Sequence, residues 1–433
     1  MTVAFYRWNE TDDATRLRIL RRAQADIEAV TEQVRPIILD VRERGDAALI
    51  DYAKKFEGAS LSSLKASDEE FDAAERQLDE RLKQAIRRCV KNVKAFHAEQ
   101  MRRVERQWMV EVESGVWAGE QVAPIDSVGL YVPRGKGAFP SALYMLAVPA
   151  VIAGVGEIVI VSPPMAEGTT DAATLFTARL CGVENVYKCG GAQAIAALAY
   201  GTKSVPKVRK VLGPGSPYVA AAKKLLSDMI DPGMPAGPSE SIVLADESAD
   251  PDNTILDILN EAEHGMDSAA LLVTHHEPLA VYVRDNMSKV IESLPEPHRG
   301  ICRHVMRDYG GIVLTDSLQE SLEFANLYAP EHLHLKVKNG QDMVEGIRNA
   351  GEILVGEYTP SSLGNYGIGV NHVLPTGGWA HTYSCTSVWD FLKRTSISRC
   401  DKEGFLALKE DVETLAAYEG FPAHGDVLRK RKI

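Results

Sequence analysis

Six short runs of aliphatic and β-branched residues recur from Ser127 onward, separated by stretches of helical spacing: SVGLYV, EIVIVS, VRKVLG, SIVLAD, ALLVTH and GGIVLT. A strand that is followed by a helix returns to the sheet as a parallel neighbour, so this alternation predicts parallel sheets covered by crossover helices, an α/β fold. There are too many strands for one small sheet. The loop-forming DPGMPAGPS at Asp231 to Ser239 interrupts the series, which predicts two doubly wound units. The length of 433 residues agrees, because one hydrophobic core stops growing at roughly 250 to 300 residues. Up to about residue 115 the apolar spacing is helical, as in Val34, Ile37, Ile38, Val41 and then Ala48, Leu49, Tyr52; after about Ser384 it turns helical again and ends in the charged DVLRKRKI.

Charge narrows the range of partners. The formal net charge of -12 argues against nucleic acid, whose phosphates are met by surplus Lys and Arg. The longest apolar run, Ala142 to Val155, is shorter than the ~20 residues of a membrane-spanning helix, so no membrane partner is expected. The opening MTVAFYRWNETDDATRLRIL lacks the basic-then-apolar pattern of a signal segment, which predicts a cytoplasmic protein. Its six cysteines are scattered, without a CxxC pair, and read as free thiols. Cys189, beside the Gly190-Gly191 turn, is the alternative nucleophile for an aldehyde-oxidising step.

Four stretches hold residue types suited to catalysis. In TILDILNEAEHG, Glu261 and His264 stand three apart on one helix face, where both reach one cation; a solvated helix pair is the plain alternative. In APEHLHL, Glu331 and His332 are neighbours at a loop-to-strand corner, suited to accepting protons from a hydroxyl and a water, although His334 shares the strand face of His332. GNYGIGVNHVLPTGG carries Asn365, Asn371 and His372 among glycines that let backbone approach a ligand. YEGFPAHGD carries Glu419 and His424 around a proline bend. For a nucleotide, LGPGSPYVAAAKK places Gly213 and Gly215 before a helix without the full GxGxxG spacing. CGGAQAIAALAYGT offers Gly190, Gly191 and Gln193, and YVPRGKGAFPS offers Arg134 and Lys136 to an anion.

In this order, YVPRGKGAFPS, GGAQAIAALAYGT, VPKVRKVLGPG, GMPAGPSE, EAEHG, APEHL and NHVLPT resemble the histidinol dehydrogenase family over nearly the whole chain. The resemblance implies a homodimer of two incomplete Rossmann-like domains with helical terminal arms, the C-terminal arm completing the partner's active site. The implied division is an N-terminal arm over 1–30, a first domain over 31–125 plus 239–383 bearing metal and catalytic residues, an NAD domain over 126–238, and an arm over 384–433. Carried over, it makes Glu331 and His332 the acid/base residues, Tyr131, Gln193 and Ser216 the NAD contacts, and Glu261, His264, Asn365 and His424 the zinc ligands. Ser239, His332, His372 and Glu419 would face the substrate, with Arg134 and Ser141 of the first stretch beside them.

The family pattern has Gln and Asp where this chain has Glu261 and Asn365, Asn at Ser216, and Gly at Arg134. The zinc shell keeps one carboxylate, one amide and two imidazoles, but the carboxylate changes sides, which alters what fits beside the ion. Arg134 adds a planar cation of the kind that binds sulfonate, phosphate or carboxylate. Together these resemble the sulfopropanediol dehydrogenase-type members and imply an anionic alcohol, 2,3-dihydroxypropane-1-sulfonate oxidised to 3-sulfolactate. The alternatives are L-histidinol oxidised to L-histidine, and a homologue that binds without turnover.

Overall fold

The computed structural model of the chain describes residues 3–22, 27–134 and 137–433; Lys136 of the expected anion loop, and residues 23–26 of the expected N-terminal arm, lie outside the described residues. Its strands are β1 (Phe5–Arg7), β2 (Gln107–Glu113), β3 (Val116–Pro124), β4 (Ser127–Tyr131), β5 (Glu157–Ser162), β6 (Val186–Lys188), β7 (Lys210–Leu212), β8 (Glu240–Ala245), β9 (Ala269–Thr274), β10 (Gly311–Leu314), β11 (His332–Lys336), β12 (Glu352–Val355) and β13 (Leu392–Cys400). All six runs singled out in the sequence are strands, and the two sheets they build are parallel, as α/β architecture requires. One has six strands in the order β1-β10-β9-β8-β11-β12, the other four in the order β6-β5-β4-β7.

Both sheets are buried on two faces because their strands are apolar at odd and even positions. In the four-stranded sheet Leu130 and Ile160 face one core, and Val159 and Val161 the other. In the six-stranded sheet Val243 and Leu272 face one side, Ile242, Leu244 and Leu333 the opposite one. β11 breaks this rule: its alternate residues Leu333 and Leu335 enter a core, while His332, His334 and Lys336, though buried, put polar groups on the other face. That face becomes the site.

The helices between residues 27 and 102 pack differently from the expected division. Val34, Ile38 and Val41 cover one face of the four-stranded sheet, and Phe71, Ile86 and Val90 the other, so these helices join residues 127–212 and not the six-stranded sheet. The reason is steric: the six-stranded sheet is already covered by its own crossovers, through Ile255, Val283 and Val305 on one side and Phe324 on the other. The N-terminal arm is likewise not wholly helical, since β1 pairs in parallel with β10 before the helix Asp13–Arg21 begins.

A third sheet, antiparallel in the order β13-β3-β2, was not foreseen; the sequence read as helical up to about 115 and again beyond 384. β2 alternates, with Trp108, Val110 and Val112 on one face, yet it is exposed throughout; β13 is nearly so and shows no apolar alternation. The C-terminal arm thus starts as a strand anchored along β3 and continues into the helices Lys402–Tyr418 and Pro422–Arg429. Among the described residues no helix is long and apolar enough to cross a membrane.

Candidate active site

The strand order of the four-stranded sheet reverses between β4 and β7, and ligands of open α/β sheets bind outside the carboxyl ends of strands at such a switch point. Here β7 runs into Gly213, whose φ is +121° and where a Cβ would lie 2.1 Å from the Tyr131 carbonyl oxygen. A Cβ on Gly215 would lie 2.6 Å from Val219. Ser216 then occupies the N-cap position of the helix Pro217–Leu225 without a side-chain capping bond. This turn, with Ser239, Glu240, Thr376 and Trp379 from across the cleft, lines a cavity of about 590 Å³. Nearby, the Tyr131 hydroxyl accepts a hydrogen bond of 3.1 Å from the Gly191 amide, at the helix that carries buried Gln193.

Across the cleft the six-stranded sheet presents its amino ends, an inversion of the usual arrangement. Parallel register aligns His332 with Ser241 of β8 and with Glu352 of β12. His332 Nδ1 lies 2.9 Å from Glu352 Oε2, so the ring is held by a carboxylate on the next strand, while its Nε2 is 3.9 Å from Glu331 Oε1. Glu331 Oε2 accepts a 3.0 Å bond from the Glu240 amide. The helix Pro251–Ala262 delivers Glu261, fully buried, and the chain just beyond it delivers His264, whose Nδ1 sits 3.3 Å from Glu261 Oε2 and 2.9 Å from the Ser239 hydroxyl. Asn365 donates to Glu261 Oε1 at 3.4 Å.

Burial and crowding set the protonation states. Burial pushes the Glu331 carboxyl up to about 8, with His332 opposing and Glu261 adding. For His332 burial acts downward, but Glu261, the bond to Glu352 and Glu331 together raise the imidazole to about 10. Glu261 is held below the usual carboxylate range: its burial acts upward, and the facing His332 and His264 outweigh it. Burial lowers His372 to about 4, so it is a neutral imidazole. Glu261 Oε2, Asn365 Oδ1 and His372 Nε2 are out of solvent without hydrogen-bond partners.

Behind this cluster the same two elements are clamped together. Lys336, with a fully buried side chain, reaches Asp257 Oδ2 at 2.8 Å and Glu357 Oε1 at 3.1 Å, and Asp257 stands one helical turn before Glu261. Replacing Lys336 by Met leaves two carboxylates without their cation and is expected to cost about 3 kcal/mol of stability. Chemical denaturation at neutral pH checks this; a loss under 1 kcal/mol, on the scale of an exposed pair, would refute a buried clamp.

The histidinol dehydrogenase family model matches residues 20–432. The chain belongs to the histidinol dehydrogenase family. It is 50% identical over 417 residues to the histidinol dehydrogenase of Synechocystis sp., covering 96% of either chain. It is 46% identical over 428 residues to histidinol dehydrogenase homolog 2 of Mesorhizobium japonicum, covering 98% of this chain and 96% of that one. The crystal structure of histidinol dehydrogenase from Elizabethkingia anophelis shares 34% identity and superposes with a TM-score of 0.93, over 99% of this chain and 97% of that one. The fold is that of histidinol dehydrogenases, and the family is one of oxidoreductases acting on CH–OH groups.

Within this family member the structure brings together Glu331, His332, Glu261, His264, Asn365 and Ser239, with His372 close enough for its charge state to depend on His332. It gathers Tyr131 and Gln193 at the Gly191 turn and puts Ser216 on the cavity wall. Ser141 is buried near the start of the helix Pro140–Ala153, whose Met145 carbonyl accepts from Asn371 at 2.6 Å. Arg134 is exposed, and the side-chain bond described for it goes to the Pro164 carbonyl at 3.4 Å, just beyond β5 on the four-stranded-sheet side of the cleft. Glu419 and His424 are exposed on the C-terminal arm. Among the described residues no three His, Cys, Asp or Glu side chains group as a metal site, because the third neighbour of Glu261 and His264 is the amide Asn365 and His424 is on the arm. Cys189 is fully buried and burial pushes its thiol far up, the opposite of an activated nucleophile. Sequence reasoning missed Glu352 and Glu240, each an acidic residue heading an apolar strand, a position where a lone carboxylate is unexpected.

Proposed function

We propose that this chain oxidises a small primary alcohol to a carboxylic acid in two successive hydride transfers, with His332 and Glu331 handling the protons. The observation that carries this reading is the buried pair itself: two groups of opposite type, 3.9 Å apart, with one imidazole nitrogen held by Glu352 and the other turned toward Glu331. His332 is an imidazolium while Glu261 faces it uncompensated; with the Glu261 charge engaged by a cation, its neutral Nε2 would take the alcohol's hydroxyl proton in the first step. In the second, Glu331 takes a proton from the water that adds to the aldehyde, and the resulting hydrate anion gives up its carbon-bound hydrogen as hydride to leave the carboxylic acid.

NAD, when bound, is the hydride acceptor in both steps. The glycine cradle at Gly213 and Gly215 leaves room for its pyrophosphate at the helix beginning with Pro217, and Tyr131, Gln193 and Ser216 are its proposed contacts. Glu261 Oε2 and Asn365 Oδ1, buried without hydrogen-bond partners, and the neighbouring His264 fit a zinc ion, and His424 of a second copy is the proposed fourth donor. Zinc, when bound, polarises the substrate hydroxyl and draws the Glu261 charge away from His332. The arm that carries His424 exposes Leu406, Val412, Leu415, Tyr418, Phe421 and Val427, an apolar surface suited to a partner subunit.

The relatives' names favour L-histidinol as substrate. The Glu261 and Asn365 exchange favours a second reading, 2,3-dihydroxypropane-1-sulfonate, since a carboxylate at Glu261 changes the contacts beside the metal. NADH released per substrate, measured for each compound with zinc-loaded enzyme, separates them. Two NADH per histidinol support the first reading and two per sulfonate the second; no NADH from any small alcohol would sink the function.

The raised Glu331 carboxyl gives a sign for pH dependence. It is protonated below about 8 and a base above, so the second oxidation is expected to rise with pH through that region. Glu331→Gln should remove this limb and stop the reaction after one NADH; an unchanged profile would assign the base elsewhere.

A further inference from the structure

Arg22 ends the helix Asp13–Arg21, and its backbone sits at φ 59°, ψ -165°, a region that costs a non-glycine residue of order 1–3 kcal/mol unless the surroundings hold it there. What holds it is its side chain. The guanidinium is 3.7 Å above the Tyr328 ring, donates to the Tyr328 carbonyl and, at 3.4 Å, to the Ala329 carbonyl, and pairs with Glu240 at 2.9 Å. Both side chains of the ion pair are nearly inaccessible, at 5% and 3%. Each partner of Arg22 touches the frame of Glu331. Tyr328 and Ala329 close the helix that leads into it, the Glu240 amide binds its Oε2, and Glu240 Oε1 accepts from the Gly377 amide of the glycine-rich loop.

We infer that Arg22 is a positioning residue for the oxidation: it reaches in from the N-terminal segment and locks residues 328–329, Glu240 and Gly377 into the arrangement that aims Glu331. The inference rests on the reading of Glu331 as a reacting group. It assigns no contact with substrate. Its backbone strain is retained because the N-terminal segment must turn at this point to deliver the guanidinium.

The test uses the full-length enzyme with Arg22→Met, Arg22→Lys and the double variant Arg22→Met/Glu240→Gln. Arg22→Met is expected to lower kcat at least about tenfold with KM changed less than about threefold, the signature of a loss felt mainly in the transition state. It should also speed amide hydrogen exchange at Gly377. Arg22→Lys should recover part of kcat. In the double variant no buried carboxylate is left unpaired, so thermal stability returns while kcat stays low; this variant also answers if Arg22→Met alone does not fold. Return of kcat together with stability would mean that Arg22 only neutralises Glu240, and would overturn the inference. So would wild-type kcat and wild-type exchange at Gly377 in Arg22→Met. If the wild-type enzyme oxidises no alcohol, the functional reading fails on its own, and exchange at Gly377 still decides whether Arg22 holds the loop.

Discussion

Mixing two variants that cannot form the acid, Glu331→Gln and His424→Ala, is expected to restore about a quarter of wild-type acid formation, because in a two-fold dimer each mixed pair rebuilds one intact site from complementary halves. Half of a random mixture is mixed dimer, and one of its two sites carries both lesions. Glu261, His264 and Asn365 gather in one cluster, whereas His424 stands exposed on an arm that leaves Leu406, Leu415, Phe421 and Val427 open to solvent. Native mass spectrometry would confirm that mixed dimers form. If they form and still make no acid, or if His424→Ala alone is fully active, the arm does not complete a partner's site.

Replacing His332 by Asn is expected to lower kcat by about 10²–10⁴-fold with little change in KM, the range for removing a positioned general acid or base. Both oxidations should suffer, in contrast to Glu331→Gln, which is expected to release aldehyde after one turnover of NAD. Glu352→Gln should cause a smaller drop than His332→Asn, since the imidazole remains but its Nδ1 partner is a neutral amide. Rapid-quench measurement of aldehyde and NADH separates the three variants. A His332→Asn enzyme within tenfold of wild type would move the proton-accepting role to another group.

How legible the site was in the sequence depended on burial. The central strands announced themselves because strands buried on both faces are unbroken apolar runs, as SIVLAD and ALLVTH are. β13 stayed hidden because its sequence LKRTSISRC has no apolar period, and β2, whose Trp108, Val110 and Val112 do alternate, stayed hidden because it follows directly on a long helical stretch. The amphipathic helices from 27 to 102 revealed that they pack, through Val34, Ile38 and Val90, but an apolar face does not say which sheet will meet it. Glu331, His332, Glu261 and His264 stood out by local spacing. Glu352 and Arg22 did not, since their meaning arises from contacts with residues 20 and 218 positions away, and Arg22 is one of several arginines in LRILRR.

The parallel pairing of β1 with β10 joins residues 5–7 to residues 312–314, with the whole four-stranded unit threaded between them. During synthesis β1 therefore emerges on the order of tens of seconds before its partner strand β10 exists, at about 5–20 residues per second. The inserted unit can complete the core around Val34, Val159 and Ile195 in that interval, whereas the core on its other face still lacks Val373 and Phe391, and residues 5–7 wait unpaired. Nascent-chain folding of this enzyme should accordingly run from the middle outward, and the Arg22 lock can engage only after Glu240 and Tyr328 have left the ribosome.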